Sequence, residues 1–432
     1  MTKLPKAVAV SALLALLPGM AAAQTRPDSL TLDHVLDLVR ERNPRLQAMR
    51  AAAEGAAYRA PEASTLPDPV FQLGVMNFGL PSLNADMPTS MAPSVQLMQM
   101  IPFPGKLSLK GEIASYDQEM AGTAVGEMEW QMRSMASSMF FDLYALDRRL
   151  GVMERTLSLL QDFQQVAKAM YASGMGRQTD ALRADVEVAR MDGDIRSMRA
   201  MRTTMAARLN GMLDRPADTP VPSPALGQLP ATLPPADTLN AWATGSRPFL
   251  TEGRLGVAQA GSRVELARRE LWPDVTLGLS YGQRDLGMGT ERMGSVMVGF
   301  SLPVFASRRQ SAMKDEALAM ERMARAELGS RHAEVQSQVG ALVAELDRAR
   351  SLARLYSEEV IPEARATVES ALSSYRVGAV DFMTLVDAQM TLNQFEGELF
   401  QLLGDYGKAF TALESVVGRT LPLSDPTLAE PR

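Results

Sequence analysis

The residues with the strongest claim on chemistry are the methionines, of which the chain has 29. Thioethers are soft ligands for Cu(I), and Met87, Met91, Met98 and Met100 could together sketch a copper path. The competing reading is packing. Most methionines recur on a helical seam, where flexible thioethers fill irregular gaps, and on that ground no residue is assigned to a metal. His34 and His332 are the only histidines, far apart and without a second ligand at metal spacing. There is no His-Glu-x-x-His, phosphate loop or serine elbow, and Gly287-Met288-Gly289 reads as a turn rather than a nucleotide site. Cysteine is absent, which removes disulfides, thiolate metal sites, a nucleophilic thiol and a lipidated cysteine together. The chain therefore reads as a non-enzyme that needs no cofactor.

The elements that position these residues come in two copies. The first runs from Asn43-Pro44 through Leu66-Pro67-Asp68 and the stretch from Val95 to Pro102, then on to Tyr171-Ala172-Ser173-Gly174 and Arg208-Leu209-Asn210-Gly211. The second runs from Arg247-Pro248 through Trp272-Pro273-Asp274 and the stretch from Val296 to Pro303, then on to Tyr375-Arg376-Val377-Gly378 and Val417-Gly418. Matching landmarks about 200 residues apart imply a duplication, and a duplication dictates architecture. The unit is strand, strand, long helix, turn, long helix. The resulting division is a signal at 1–23 and a first repeat at 24–215, with strands at 68–78 and 93–102 and a helical hairpin at 105–212. A linker or strap at 216–236 follows, then a second repeat at 237–420, with strands at 273–282 and 294–303 and a hairpin at 307–418, and a tail at 421–432.

Lys3 and Lys6, the apolar stretch from Ala7 to Leu17 and Ala21-Ala22-Ala23 form the pattern of a secretory signal. An uncleaved anchor helix is the alternative, disfavoured because Pro18-Gly19 interrupts a short segment. Nothing else approaches the roughly 20 apolar residues of a membrane helix. If the chain crosses a membrane, strands must do it. The formal net charge of −6 becomes more negative once the signal's two lysines are removed, so nucleic acid is excluded as a partner.

Four segments alternate with period two. Phe71, Leu73 and Val75 oppose Gln72, Gly74 and Met76, while Val95, Leu97 and Ile101 oppose Ser94, Gln96 and Met98. Val275, Leu277, Leu279 and Tyr281 oppose Thr276, Gly278, Ser280 and Gly282, while Val296, Val298, Phe300 and Leu302 oppose Met297, Gly299 and Ser301. Each segment is long enough to cross a bilayer at a tilt, and the small or polar second face suits a water-filled lumen. Aromatics near the ends (Phe71, Phe103, Trp272 and Phe305 at one boundary, Phe78 and Tyr281 at the other) fit interfacial girdles. A soluble sandwich remains compatible with the alternation alone. Four strands cannot close a barrel, and an open edge cannot persist in lipid, so the membrane reading requires several copies to share one barrel.

Between Pro104 and Pro216 there is no proline, and Met128, Met132, Met135, Met139, Leu143, Leu146, Leu150, Met153, Leu157 and Leu160 trace a coiled-coil seam. A helix from Lys106 to Tyr171 would reach on the order of 100 Å. In the second copy Pro362 predicts a kink or junction. At the far end of each hairpin, Gly174-Met175-Gly176-Arg177-Gln178-Thr179-Asp180 and Gly378-Ala379-Val380-Asp381-Phe382-Met383-Thr384 stop one helix and start the next.

This duplicated organisation resembles the TolC-like outer membrane factor family, together with Val360-Ile361-Pro362-Glu363-Ala364, Ser374-Tyr375-Arg376-Val377-Gly378, Val386-Asp387-Ala388-Gln389 and the closing Val417-Gly418. The resemblance implies a mainly α protein with a membrane β-barrel: a homotrimer whose twelve strands form one barrel in outer membrane lipid, continued by an α-helical tunnel in the periplasm of a Gram-negative cell. It implies a passive exit duct docking to a periplasmic adapter and an inner membrane efflux pump of the RND type. The adapter-contact tips fall on Gly174, Gly176, Gly378 and Val380, and the periplasmic gate on Asp180, Thr384 and Asp387, with Thr384 departing from an aspartate of the prototype. The segments Leu66-Pro67-Asp68-Pro69 and Met98 to Lys106 resemble the branch that accompanies heavy-metal efflux. Drugs or a secreted protein are the alternative cargo classes, and a pore-less periplasmic coiled-coil or adapter-like protein is the alternative function.

Overall fold

A computed structural model describes residues 29–76, 91–227, 229–230, 232–285, 289–422 and 427–428. The signal, Phe78, Met87, Gly287 and Met288 lie outside the described residues. Helices α1 (Leu32–Arg42), α2 (Pro44–Ala57) and α3 (Arg59–Ser64) lead to strands β1 (Val70–Met76) and β2 (Met91–Ile101). Helices α4 (Lys106–Ala172) and α5 (Gln178–Met212) follow, then a two-residue strand β3 (Leu229–Pro230), α6 (Ala236–Ser246) and α7 (Pro248–Arg269). Strands β4 (Val275–Asp285) and β5 (Thr290–Phe300) precede α8 (Arg309–Leu355), α9 (Ile361–Arg376), α10 (Phe382–Val417) and a two-residue strand β6 (Thr427–Leu428). The described residues are mainly helical, with a four-stranded sheet and a two-stranded one.

The four-stranded sheet is antiparallel, in the order β1-β2-β4-β5. Its register lines Phe71, Leu97, Leu279 and Val296 into one row across all four strands. These side chains are 63%, 42%, 55% and 75% exposed, so the chain alone gives the apolar face nothing to pack against. Gly278 and Gly299 lie on the other face, where Met98 and Met297 flank Gly278.

Helix α4, at 67 residues, is the spine of the molecule. It packs against α5, α7 and α10, and α8 packs on both α7 and α10. Because neighbours meet α4 on several sides, its core is not the single seam of the periodicity. Phe140, Phe141 and Tyr144 are wholly buried although they are off that seam, whereas Met135 on it is 46% exposed. Helices α4 and α10 approach closely at Gly404 and Gly407, where a Cβ at Gly407 would run into the Phe141 ring. The second long helix is interrupted as Pro362 requires. A π-helical turn, Tyr356–Val360, separates α8 from α9, and Pro362 falls at the start of α9, where its missing N–H leaves no gap in the ladder.

The strap between the two halves crosses the outside of the bundle. Asn210 Nδ2 donates to Thr219 O at 2.8 Å, the Tyr406 hydroxyl donates to Pro230 O, and Leu229 lies over a cluster containing Phe140, Tyr406, Phe410 and Leu413. Instead of fraying completely, the tail pairs Thr427 and Leu428 with Pro230 and Leu229.

Candidate functional site

Both hairpin tips are built by the same backbone device. Helix α4 ends with Gly174 N–H donating to Tyr171 O at 3.0 Å and Met175 N–H donating to Met170 O at 2.9 Å. Helix α9 ends with Gly378 N–H donating to Tyr375 O and Ala379 N–H donating to Ser374 O, both at 2.9 Å. This is the Schellman arrangement, which needs a left-handed residue. Gly174 and Gly378 supply it at φ 76° and 72°. Open space surrounds both, so backbone conformation and not crowding demands glycine, whereas Gly176 sits tightly against Met170. Val380 is half-buried against the lower core, while Met175 and Val377 are 75% and 79% exposed. Those two bare apolar side chains were overlooked in the sequence because each sits between polar or glycine neighbours.

The residues expected to form a gate play different parts. Asp381 caps α10, accepting from Thr384 N at 2.9 Å and from Thr384 Oγ1 at 2.7 Å, so Thr384 is committed to the cap. The Thr384 hydroxyl and amide hold the Asp381 carboxyl below its ordinary range, assisted by the charges of Arg183 and Arg177 from the other hairpin. Asp180 is in the first turn of α5 and does not cap it. It lies near Tyr375, whose buried hydroxyl has no partner and is pushed up first by burial and then by the Asp180 charge. Asp387 is exposed one turn beyond Thr384.

Asp387 also belongs to a longer feature. The exposed residues of α10 are Thr384, Asp387, Thr391, Gln394 and Glu398, and the half-buried Gln401, Asp405, Lys408 and Ala412 continue the series, spaced alternately by threes and fours. This polar stripe faces away from the strap, which covers the Tyr406 and Phe410 side of the same helix. Near its upper end Lys408 Nζ meets Asp142 Oδ1 at 2.7 Å and Asp405 Oδ1 at 2.8 Å, which joins α4 to α10. Burial would lower the Lys408 pKa, but the two carboxylates outweigh it and hold it above the usual range. Polar periodicity at helical spacing could have revealed the stripe. The apolar seam drew attention instead.

Where the sheet meets the helices, Lys106 is buried with its side chain only 3% exposed. Its ammonium donates to Asp274 Oδ1 at 2.9 Å, Trp272 O at 3.0 Å and Glu270 Oε2 at 3.1 Å, which satisfies all three protons. Phe103 N–H donates to the same Asp274 oxygen at 2.8 Å, and the Phe103 ring stacks on Trp272 at 5.2 Å. Burial raises the Asp274 pKa, but the Lys106 and Phe103 hydrogen bonds prevail and leave it below the ordinary carboxylate range. Among the described residues, no helix is long and apolar enough to cross a membrane, and no group of three His, Cys, Asp or Glu side chains could hold a metal ion.

Known proteins resemble this chain in sequence and fold. Residues 242–419 match the family described as Outer membrane efflux protein. The chain is 24% identical to the outer membrane efflux protein BepC of Brucella suis over 66% of its own length and 62% of BepC, so that match spans just under two thirds of the relative. It is 23% identical to the cobalt-zinc-cadmium resistance protein CzcC of Cupriavidus metallidurans over 90% of each chain. Its fold superposes on the outer membrane protein VceC of Vibrio cholerae with a TM-score of 0.75 at 16% identity, covering 90% of this chain and 96% of VceC. CusC superposes with a TM-score of 0.74 at 16% identity, covering 90% and 92%. The family match in the second half and a fold shared along nearly the whole length agree: the chain is similar to the outer membrane efflux proteins, which are channels and not enzymes.

Proposed function

We propose that the protein is the outer membrane exit duct of a tripartite efflux system, working as a homotrimer. The observation that carries this reading is the sheet: four strands with one exposed apolar face, ending in β1 on one side and β5 on the other, neither of them paired further. In lipid such edges must be closed, and three copies joined head to tail would give a closed twelve-strand barrel. The pore-less coiled-coil alternative leaves the apolar sheet face without a role. Below the barrel the helices form a periplasmic tunnel, with the polar stripe of α10 turned inward because the strap occupies the outside. Likeness to CzcC, a cobalt-zinc-cadmium resistance protein by name, supports heavy-metal cations as the cargo. Drugs or a secreted protein are the other cargo classes, and a strain lacking the protein, exposed to cobalt, zinc, cadmium, dyes and antibiotics, separates them.

Asp180 and Asp387 gate the lower end in this reading. Three symmetry copies bring several carboxylates together where the tunnel narrows, and a divalent cation bound among them favours closure. In a planar bilayer, Asp387→Asn should weaken divalent-cation block of the conductance, and adding Asp180→Asn should weaken it further. Unchanged block in the double variant would remove both residues from the gate.

The tips dock to a periplasmic adapter coupled to an RND-type inner membrane pump. Met175 and Val377 offer exposed apolar contact without supporting the fold. Met175→Asp combined with Val377→Asp should abolish efflux in cells and leave the trimer assembled in the membrane. Retained efflux would place adapter docking elsewhere.

A further inference from the structure

Within one chain, β2 and β4 already make the kind of contact that a closed barrel would repeat between chains. β2 is the second strand of the first half and β4 the first strand of the second half, and their meeting is pinned by Lys106 on Asp274 with Phe103 on Trp272. The same parts recur at the two open edges and are unused there. Leu66-Pro67-Asp68 precedes β1 as Trp272-Pro273-Asp274 precedes β4. Ile101 closes β2 just before Pro102, Leu302 stands just beyond β5 and before Pro303, and Arg309 is the first residue of α8 as Lys106 is of α4. Leu66, Val304 and Phe305 are exposed, as are Asp68 and Arg309, and among the described residues neither of these two charges has an ion-pair partner.

Resting on the trimer reading above, we propose that β5 pairs with β1 of the next subunit in a defined register, locked by Arg309 on Asp68 of the partner subunit. The register follows from the internal contact. There Ile101 stands opposite Val275. The corresponding residues are Leu302, which precedes Pro303, and the partner's Pro69, which follows the partner's Asp68. Stepping along antiparallel strands by twos sets Phe300 opposite the partner's Phe71 and Val298 opposite the partner's Leu73, short of the irregularity in β1 between Gly74 and Met76. Both pairs are apolar and on the lipid face, as Leu97 with Leu279 and Val95 with Tyr281 are within the chain. A slip of one residue would turn one apolar face into the lumen. A slip of two would preserve the faces but carry Asp68 of the partner subunit out of reach of Arg309. Shape, alternation and charge complementarity thus select one alignment with a second copy of this chain.

Because the natural sequence has no cysteine, disulfide trapping in the full-length protein is free of background. Directly opposed Cβ atoms lie about 4.5–5.5 Å apart and diagonal ones about 7–8 Å, and a disulfide needs about 4 Å. Oxidising membranes that carry Leu73→Cys with Val298→Cys should convert most of the protein to covalent oligomers up to the trimer. Leu73→Cys with Val296→Cys should crosslink several-fold less. Preferential crosslinking of the second pair would overturn the register and leave the trimer standing. No crosslinking by either pair, with a monomeric mass in mild detergent, would instead remove the trimer reading itself. For the lock, Asp68→Arg should lower the yield of assembled trimer several-fold and the swap of Asp68→Arg with Arg309→Asp should restore it. A swap no better than the single change would overturn the ion pair.

Discussion

Lys106→Met should destabilise the assembled protein by about 3–5 kcal/mol, toward the lower end of the range for removing one partner of a buried ion pair. The cost arises less from the lost attraction than from Asp274 and Glu270, which would be left close together with no cation. Their side chains retain 22% and 31% of their exposure, so water relieves part of that repulsion. The change should appear as a lowered midpoint for heat dissociation of the membrane-extracted protein. Removing the stranded charge tests the cause: Lys106→Met with Asp274→Leu should recover much of the loss. If the double variant is as weak as the single one, the junction acts through packing of the lysine stem and not through its charge. Acid should act in the same direction. The folded protein holds the Asp274 carboxyl below the ordinary carboxylate range, so its contribution is fully present above the pKa of the unfolded chain and disappears as pH falls through the lower pKa of the folded one.

How much of this was legible depended on whether a signal was local. Helix α4 begins at Lys106 and ends at Ala172 because the stretch lacks proline and meets Gly174, both visible in the sequence. The apolar alternation of the strands was equally local, and the structure arranges it into one exposed face. Lys106 was not legible as a buried group. A lysine after a glycine reads as an ordinary exposed helix start, and its partners Glu270 and Asp274 lie 164 and 168 positions away. The seam of α4, on which Met132, Leu143, Met153 and Leu160 are buried, was incomplete for a related reason. A single period-3.5 stripe describes a helix with one neighbour, whereas α4 packs against α5, α7 and α10 and also against α1, α2 and α3, so Phe140, Phe141 and Tyr144 form core from positions the stripe skips. At the gate, the tie between Asp381 and Thr384 could have been read from its spacing as an N-cap. The nearness of Asp180 to Tyr375 could not, because it joins the two hairpins.

Arginine at Leu279 should impair membrane insertion far more than arginine at Gly299, although the two lie in neighbouring strands of one sheet. Leu279 is near the middle of the 11-residue β4 and projects from the apolar face, where its side chain is 55% exposed in one chain. On the proposed barrel that face meets hydrocarbon, and a guanidinium at the midplane costs about 2–4 kcal/mol, falling to about 0–1 kcal/mol near the interfaces. Leu277→Arg, closer to the end of the strand and to the Trp272 boundary, should therefore cost less than Leu279→Arg. Gly299 has only Thr276 at ordinary contact distance, so an arginine there enters the water-filled side and reduces conductance without blocking insertion. The measurement is the fraction of each variant recovered as heat-resistant oligomer in the outer membrane, with conductance recorded for those that insert. Equal recovery of the Leu279 and Gly299 variants would mean that both faces meet water, and the apolar alternation would then belong to a soluble sheet and not to a barrel wall.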